Sequence, residues 1–266
     1  MINNTAHYYA PNYPTGNNYH VSIMVSAESL CMAVLNKTTN NYDCIIRYEQ
    51  GIAQLTQAQL TTDLKLLPTQ INSAAAQLFK TGAYLLPNNT AVIDDLHTTT
   101  TDVLQLINAT LHYNINGSTL DKLQQISPAL TVCHHTQVAV YNALTSIVQQ
   151  PNQSFVTATL VGKLLHVCVI KNGVFTLSNY YDSKHDDDIV YYILFAYNQL
   201  QLSNTEVELY LYANSTYTKI INDKLANFIQ TIHITHTLPI PYTLHSSIDA
   251  DLITELYPLL TMYACV

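Results

Sequence analysis

Residues 155–182 read FVTATLVGKLLHVCVIKNGVFTLSNYYD, and this stretch decides the fold class. Two runs that alternate apolar and polar residues flank the pair Asn172–Gly173. Asn-Gly accepts positive φ at both central positions of a two-residue turn, so the runs are predicted to be antiparallel strands of a tight hairpin. FVTATLVG supplies a strand before them. Downstream, DDDIVYYILFAYNQLQL (186–202) reads as a helix. Asp186, Asp187 and Asp188 crowd its start, where free N–H groups and the helix dipole favour negative charge. VELYLYA (207–213) is a further strand, which makes the order strand, strand, strand, helix, strand.

The same order is predicted upstream. HVSIMVS, SLCMAVLN and YDCIIRYE form a meander of three short strands behind a polar lead-in, residues 1–18, expected to be mobile or laid on the surface. Thr56 and Gln59 have capping-box spacing for a helix that buries Leu60, Leu64 and Leu67 and stops at Pro68. A short helix is predicted through Ala74–Phe79, then a strand over 83–93 broken at Pro87. A helix over 101–112 carries Val103, Leu106, Ile107 and Leu111, followed by a loop at Asn116–Gly117. A strand over 129–133, a helix carrying Val140, Leu144, Ile147 and Val148, and a linker-like QQPNQS (149–154) come next. Beyond 213 the pattern gives a helix over 216–229, a strand over 231–237, and a last helix from Ser246 to Tyr257 ended by Pro258.

An offset of 135 residues sets Val21, Val25, Leu30, Val34 and Leu35 on Val156, Leu160, Leu165, Val169 and Ile170. The chain is therefore expected to be an internal duplication: a first half at 19–152 with an insertion at about 68–128, and a second half at 153–266. Two such halves imply mixed sheets with helices on their faces, an α/β fold.

Composition narrows the function classes. Charged residues are only 11% and the net charge is −8 with 10 Lys+Arg, which leaves no cationic footprint for nucleic acid or an anionic membrane. The apolar run Ile189–Tyr197 is far shorter than the ~20 residues that span a bilayer. The opening residues lack the basic and apolar regions of a signal peptide, so a soluble cytoplasmic protein is expected. Five widely spaced cysteines with no CxxC read as buried hydrophobes in a reducing compartment.

The duplicated order is the topology of the actin-like, ribonuclease-H-like ATPases. FVTATLVGKLLHVCVIKNGVFTLSNYYDS, DIVYYILFAYNQLQLSNTEVELYLYAN, the His134-His135-Thr136 step into a helix and the opening HVSIMVSAESLCMAVLN resemble, more specifically, a bacterial family, domain-of-unknown-function family 3822. The resemblance implies two ribonuclease-H-like βββαβαβ(α) halves in an actin-like ATPase arrangement, and it brings no activity with it.

Actin-like ATPases cradle phosphates with glycine-containing hairpin turns, because a Cβ obstructs close approach of backbone N–H groups. Here the first turn, Val25 to Ser29, has Glu28 but neither glycine nor aspartate, and the second, Leu160 to Leu164, offers Gly162 and Lys163 without a carboxylate. All six glycines are isolated, so there is no paired-glycine adenosine loop, and HVSIMVS carries no carboxylate for a two-metal nuclease. Glu28, Gly162 and Lys163 are the degraded phosphate-turn positions; as ordinary turn residues they would face solvent. Asp182, His185 and Asp186, in the run 182–188, are candidate ligands for a hard cation, against the plainer reading of a charged helix N-terminus. His134 and His135, if on a strand, would point to opposite sides, as would His233 and His236. The expectation is a non-catalytic pseudo-ATPase with no cofactor, acting by protein or ligand binding, with a protein partner or self-association expected, no nucleic acid and no membrane insertion, and the identity of any small-molecule ligand left open. Two alternatives stay open: an enzyme or nucleotide-binding protein with a remodelled inter-domain cleft, and an adaptor by fold analogy. The twenty tyrosines suit a contact surface, although any one of them also suits ordinary packing.

Overall fold

The computed structural model describes residues 5–11, 13–14, 16–26, 29–56, 65–79, 83–87, 100–104, 107–128, 130–149, 152–213, 215–234, 242–244, 252–253 and 256–265. The chain divides into two compact units: residues 1–138 with 240–248 and 258–266, and residues 139–239 with 249–257.

In the first unit the meander forms as expected, with β2 (Tyr19–Val25), β3 (Leu30–Asn36) and β4 (Asn41–Tyr48) antiparallel in sequence. Part of the polar lead-in is not loop: it supplies β1 (Thr5–Tyr9), antiparallel to β4. The predicted helix through 74–79 is instead β5 (Ile71–Leu78), parallel to β2. Its INSAAAQL sequence favours helix by propensity, but β5 is a central strand between β2 and β9 (Leu130–His134), and sheet burial overrides that preference. The predicted helix over 101–112 is also corrected. β6 (Ala83–Pro87), β7 (Thr100–Leu104) and β8 (Ala109–Tyr113) form a separate antiparallel sheet in the order β6-β8-β7. Asn108, at φ +51°, helps turn β7 into β8, so Leu104 faces Ala109. Asn116 is no loop marker but the N-cap of α1 (Gly117–Ile126), its Oδ1 accepting the Ser118 N–H at 2.9 Å. Lys122 of α1 gathers the carbonyls of Ile52, Ala53 and Leu55. α2 (His135–Gln149) follows β9 directly.

The second unit follows the sequence closely. β10 (Phe155–Val161), β11 (Leu164–Lys171) and β12 (Val174–Asp182) form the meander. Asn172 and Gly173 turn at φ +54° and +74°, and a Cβ on Gly173 would meet the Asn152 backbone at 3.1 Å. α3 (Asp186–Gln199) buries Ile189, Ile193, Ala196 and Tyr197 against Val156, Ala158, Val167 and Val169 of the sheet. Each such aliphatic side chain contributes about 1.5–3 kcal/mol on burial. β13 (Glu208–Tyr212) runs parallel to β10, α4 (Ser215–Leu225) adds Ile221 and Leu225 to the core, and β14 (Ile232–Ile234) completes the sheet.

The two sheets repeat one strand order and one register. The orders are β4-β3-β2-β5-β9 and β12-β11-β10-β13-β14. Val21 pairs with Val34 and Ala74; 135 residues on, Val156 pairs with Val169 and Leu209. The ladder shifts register between Val34 and Leu35 in one sheet and between Val169 and Ile170 in the other. An irregularity repeated at the same offset is far more specific than the apolar match alone. The first unit's extra material is the β6-β8-β7 sheet, between β5 and β9.

β15 (Thr243–Leu244) returns to the first unit and pairs with Asn41 and Tyr42 of β4. Leu252 and Ile253, within the predicted last helix, are helical, and the Leu256 N–H donates to the Leu252 carbonyl at 3.0 Å just before Pro258. Pro258 itself sits in the first turn of α5 (Tyr257–Thr261), where a missing N–H costs nothing, and a 3₁₀ turn (Met262–Ala264) follows. The predicted helix starts at Thr56–Gln59 and Ser246 fall largely outside the described residues.

Candidate functional site

The first hairpin turn closes on itself. Ser26 donates its N–H to the Ser29 carbonyl at 2.9 Å, and Ser29 donates its N–H to Ser26 Oγ at 2.8 Å. The two hydroxyls lie 2.9 Å apart. Glu28 lies outside the described residues. The Ser26 and Ser29 N–H groups, used this way, are not presented to an anion.

In the second turn Val161 faces Leu164, with Gly162 and Lys163 exposed between them. Gly162 has φ +59° and open space where a Cβ would sit, so turn conformation and not close approach is what calls for glycine here. The Lys163 carbonyl accepts both the N–H and the hydroxyl of Ser183, each at 2.8 Å. The turn is thus anchored to the end of β12, with no acid brought beside it by its own sequence.

The acidic run resolves into helix-end structure. Asp182 and His185 are exposed, and Asp186 is half-buried. Asp188 Oδ2 accepts the Lys184 and His185 N–H groups at 2.8 and 2.9 Å, and these bonds hold its carboxyl below the usual range. Asp187 pairs with Lys224 at 2.6 Å, which raises the lysine. Among the described residues no three His, Cys, Asp or Glu side chains converge to hold a metal.

His134 and His135 do not diverge: their ring centroids are 4.1 Å apart. The chain passes from β9 into α2 between them, so strand alternation does not apply. His134 Nδ1 contacts Thr136 Oγ at 2.9 Å, and His135 Nδ1 contacts the Leu78 carbonyl at 2.6 Å. His233 Nε2 meets Glu208 at 3.1 Å, while His236 is outside the described residues.

Sequence reading missed the buried polar groups. Asp102 of β7 accepts the His134 N–H and the Tyr113 hydroxyl, both at 3.0 Å, tying the inserted sheet to β9. Burial raises its carboxyl above the usual range. His166 sits against the Tyr180 ring with Nε2 2.8 Å from Ser178 Oγ, and burial lowers it to about 3. His20 contacts Ser73 Oγ at 2.9 Å and is lowered to about 4, by burial first and by Lys37 second. An imidazole on a strand whose neighbours are all apolar was the available signal. A surface hollow of about 450 Å³ in the first unit is walled by Tyr9, Tyr13, Lys65 and Leu66.

A family model described as a protein of unknown function, DUF3822, matches residues 78–232, over half of the chain. The chain belongs to this family. The match takes in β10 to β13, the part of this DUF3822 member whose patterning is clearest. No curated protein matches it. Among solved structures it is similar to a Bacteroides thetaiotaomicron protein with an actin-like ATPase fold and unknown function. The TM-score is 0.70 at 15% identity, over 82% of this chain and 90% of that one. It is also similar to a PilM–PilN type IV pilus biogenesis complex, with a TM-score of 0.54 at 10% identity, over 93% of this chain and 98% of that one. At these identities the likeness shows the fold alone: the protein has the actin-like ATPase fold, mixed α/β with several mixed sheets. No helix among the described residues is long and apolar enough to cross a membrane.

Proposed function

We propose that this DUF3822 protein is a non-catalytic member of the actin-like fold, one that works by binding a protein partner and has lost nucleotide hydrolysis. The observation that carries the reading is the state of its two hairpin turns. The Ser26 and Ser29 N–H groups are spent within the first turn, and the Gly162–Lys163 turn is anchored to Ser183 without an acid of its own. Phosphoryl transfer needs positioned donors and a metal-holding carboxylate; the described donors of the first turn are already bonded, and the sequence of the second turn has no carboxylate. Halves at 19–152 and 153–266 would then survive as a scaffold. A solved relative of the fold assembles with a protein, as the PilM–PilN complex states by name, which supports a partner-binding role by analogy. The free cysteines support a reducing, cytoplasmic setting.

The test is turnover and capture together. Purified protein should release no phosphate from ATP above buffer with Mg²⁺ or Mn²⁺. Affinity capture from the native host should retain a specific protein at stoichiometric level. Sustained ATP turnover that vanishes in a Lys163→Ala variant would contradict the reading.

A further inference from the structure

The two sheets treat equivalent edges differently. In the first unit β4 ends the meander, and its outer edge is covered: β1 pairs antiparallel along Cys44–Tyr48 and β15 takes Asn41–Tyr42. In the second unit β12 holds the equivalent place, and among the described residues no strand pairs with its outer edge. β12 is nine residues long, VFTLSNYYD, with no proline and no cation to discourage pairing. Its own side chains cover what they can. Asn179 Oδ1 accepts the Tyr180 N–H at 2.9 Å, and Thr176 Oγ donates to the Val174 carbonyl at 3.0 Å. Local caps of this kind are replaceable by a strand ladder.

A second observation lies beside that edge. Tyr181 of β12 stacks on Tyr192 of α3 at 4.2 Å, Tyr192 meets Tyr191 at 5.3 Å, and Tyr191 stacks on Phe195 at 5.8 Å. This ladder leads from the strand onto exposed helix surface, where Tyr191 is 59% and Phe195 39% exposed. Rigid aromatic area left in water next to an uncovered strand matches a β-augmentation groove, in which main-chain bonds give affinity and flanking side chains give selectivity. Asp182 at the strand end and Asp186 on the first turn of α3 place carboxylates at one end of the groove, whereas Asp187 is paired with Lys224 and Asp188 with backbone N–H groups.

We propose that β12 and α3 form a docking groove for an extended segment of a partner protein. The segment adds a strand antiparallel to β12, as β1 does on β4, and lays alternate aromatic or aliphatic side chains against Tyr191 and Phe195. A lysine or arginine of the segment faces the acidic end. This deepens the partner-binding reading and rests on it.

The test uses the full chain and a fluorescein-labelled peptide, KYTYTYTYK, followed by anisotropy, with light scattering on the protein alone. The expected result is saturable binding on the order of 100 µM. It weakens at least tenfold with a central proline in the peptide, with its lysines changed to glutamate, or with Tyr191→Ser plus Phe195→Ser in the protein. Those two positions are exposed, and circular dichroism checks that the variant is folded. The inference is overturned by no saturation, by equal binding of the proline peptide, or by a wild-type dimer that the double variant dissolves, since a second copy would then own the edge. Should the peptide fail while ATP also fails to bind, partner binding stands and only this groove is wrong; micromolar ATP binding would remove the broader reading instead.

Discussion

His166 makes the stability of the second unit depend on pH in a calculable way. It lies 4% exposed on β11, Nε2 against Ser178 and ring against Tyr180. Burial lowers its pKa from 6.5 to about 3. The folded chain therefore binds this proton less readily than the unfolded chain. The contribution is fully present above pH 6.5, falls as pH drops below that, and is exhausted below about 3. At pH 5 the unfolded imidazole is protonated and the folded one is not, so the loss is about 2 kcal/mol. His20, lowered to about 4 in the first unit, adds a similar amount. A single cooperative transition should then lose about 4 kcal/mol between pH 7 and 5. His166→Gln keeps a hydrogen-bonding group for Ser178 and removes the titration, so its loss should be only about 2 kcal/mol. Buried Asp43 and Asp102, both raised, act in the opposite sense, which makes the difference between variant and wild type the diagnostic. Urea unfolding followed by tyrosine fluorescence and circular dichroism at pH 7, 6 and 5 measures it. An H166Q protein with the same pH loss as wild type would refute the burial argument.

Other outcomes follow from the same geometry. Gly162→Ala should cost about 1–2 kcal/mol from left-handed backbone alone, since its Cβ would meet nothing, and urea midpoints will show it. Ile193→Ala, at 0% exposure in the second core, should cost about 2–5 kcal/mol and lower the thermal midpoint by several degrees. Cys44 and Cys168, free thiols pushed up to about 12 chiefly by burial, should react with a disulfide reagent at pH 8 only after denaturant is added.

The two units were unequally legible in the sequence, for physical reasons. β10 to β13 could be read because the Asn172–Gly173 turn and the Asp186–Asp188 helix start are local signals that agree with the global fold. β5 could not, because an alanine-rich strand buried between two others has no alternation and only Ile71 as a β-branched residue to declare it. Val103 to Leu111 imitated a helical face across a hairpin whose turn is made by Asn108, a residue with no Gly beside it to mark the position. β1 was hidden because its partner β4 lies some forty residues away. The candidate site was legible as an absence: no glycine or aspartate in the first turn and no carboxylate in the second. Its internal hydrogen bonding was not, since Ser26 and Ser29 look like any polar turn until their donors are traced. The Asp102–Tyr113–His134 tie spans 32 residues and two sheets, beyond any local pattern.

The proposed loss of nucleotide hydrolysis would follow most simply from loss of nucleotide binding. Isothermal titration of the full chain with ATP and ADP in the presence of Mg²⁺ tests it most directly. The turns at Ser26–Ser29 and Gly162–Lys163 predict no heat of binding up to millimolar nucleotide. A micromolar dissociation constant, sensitive to Lys163→Ala, would contradict it.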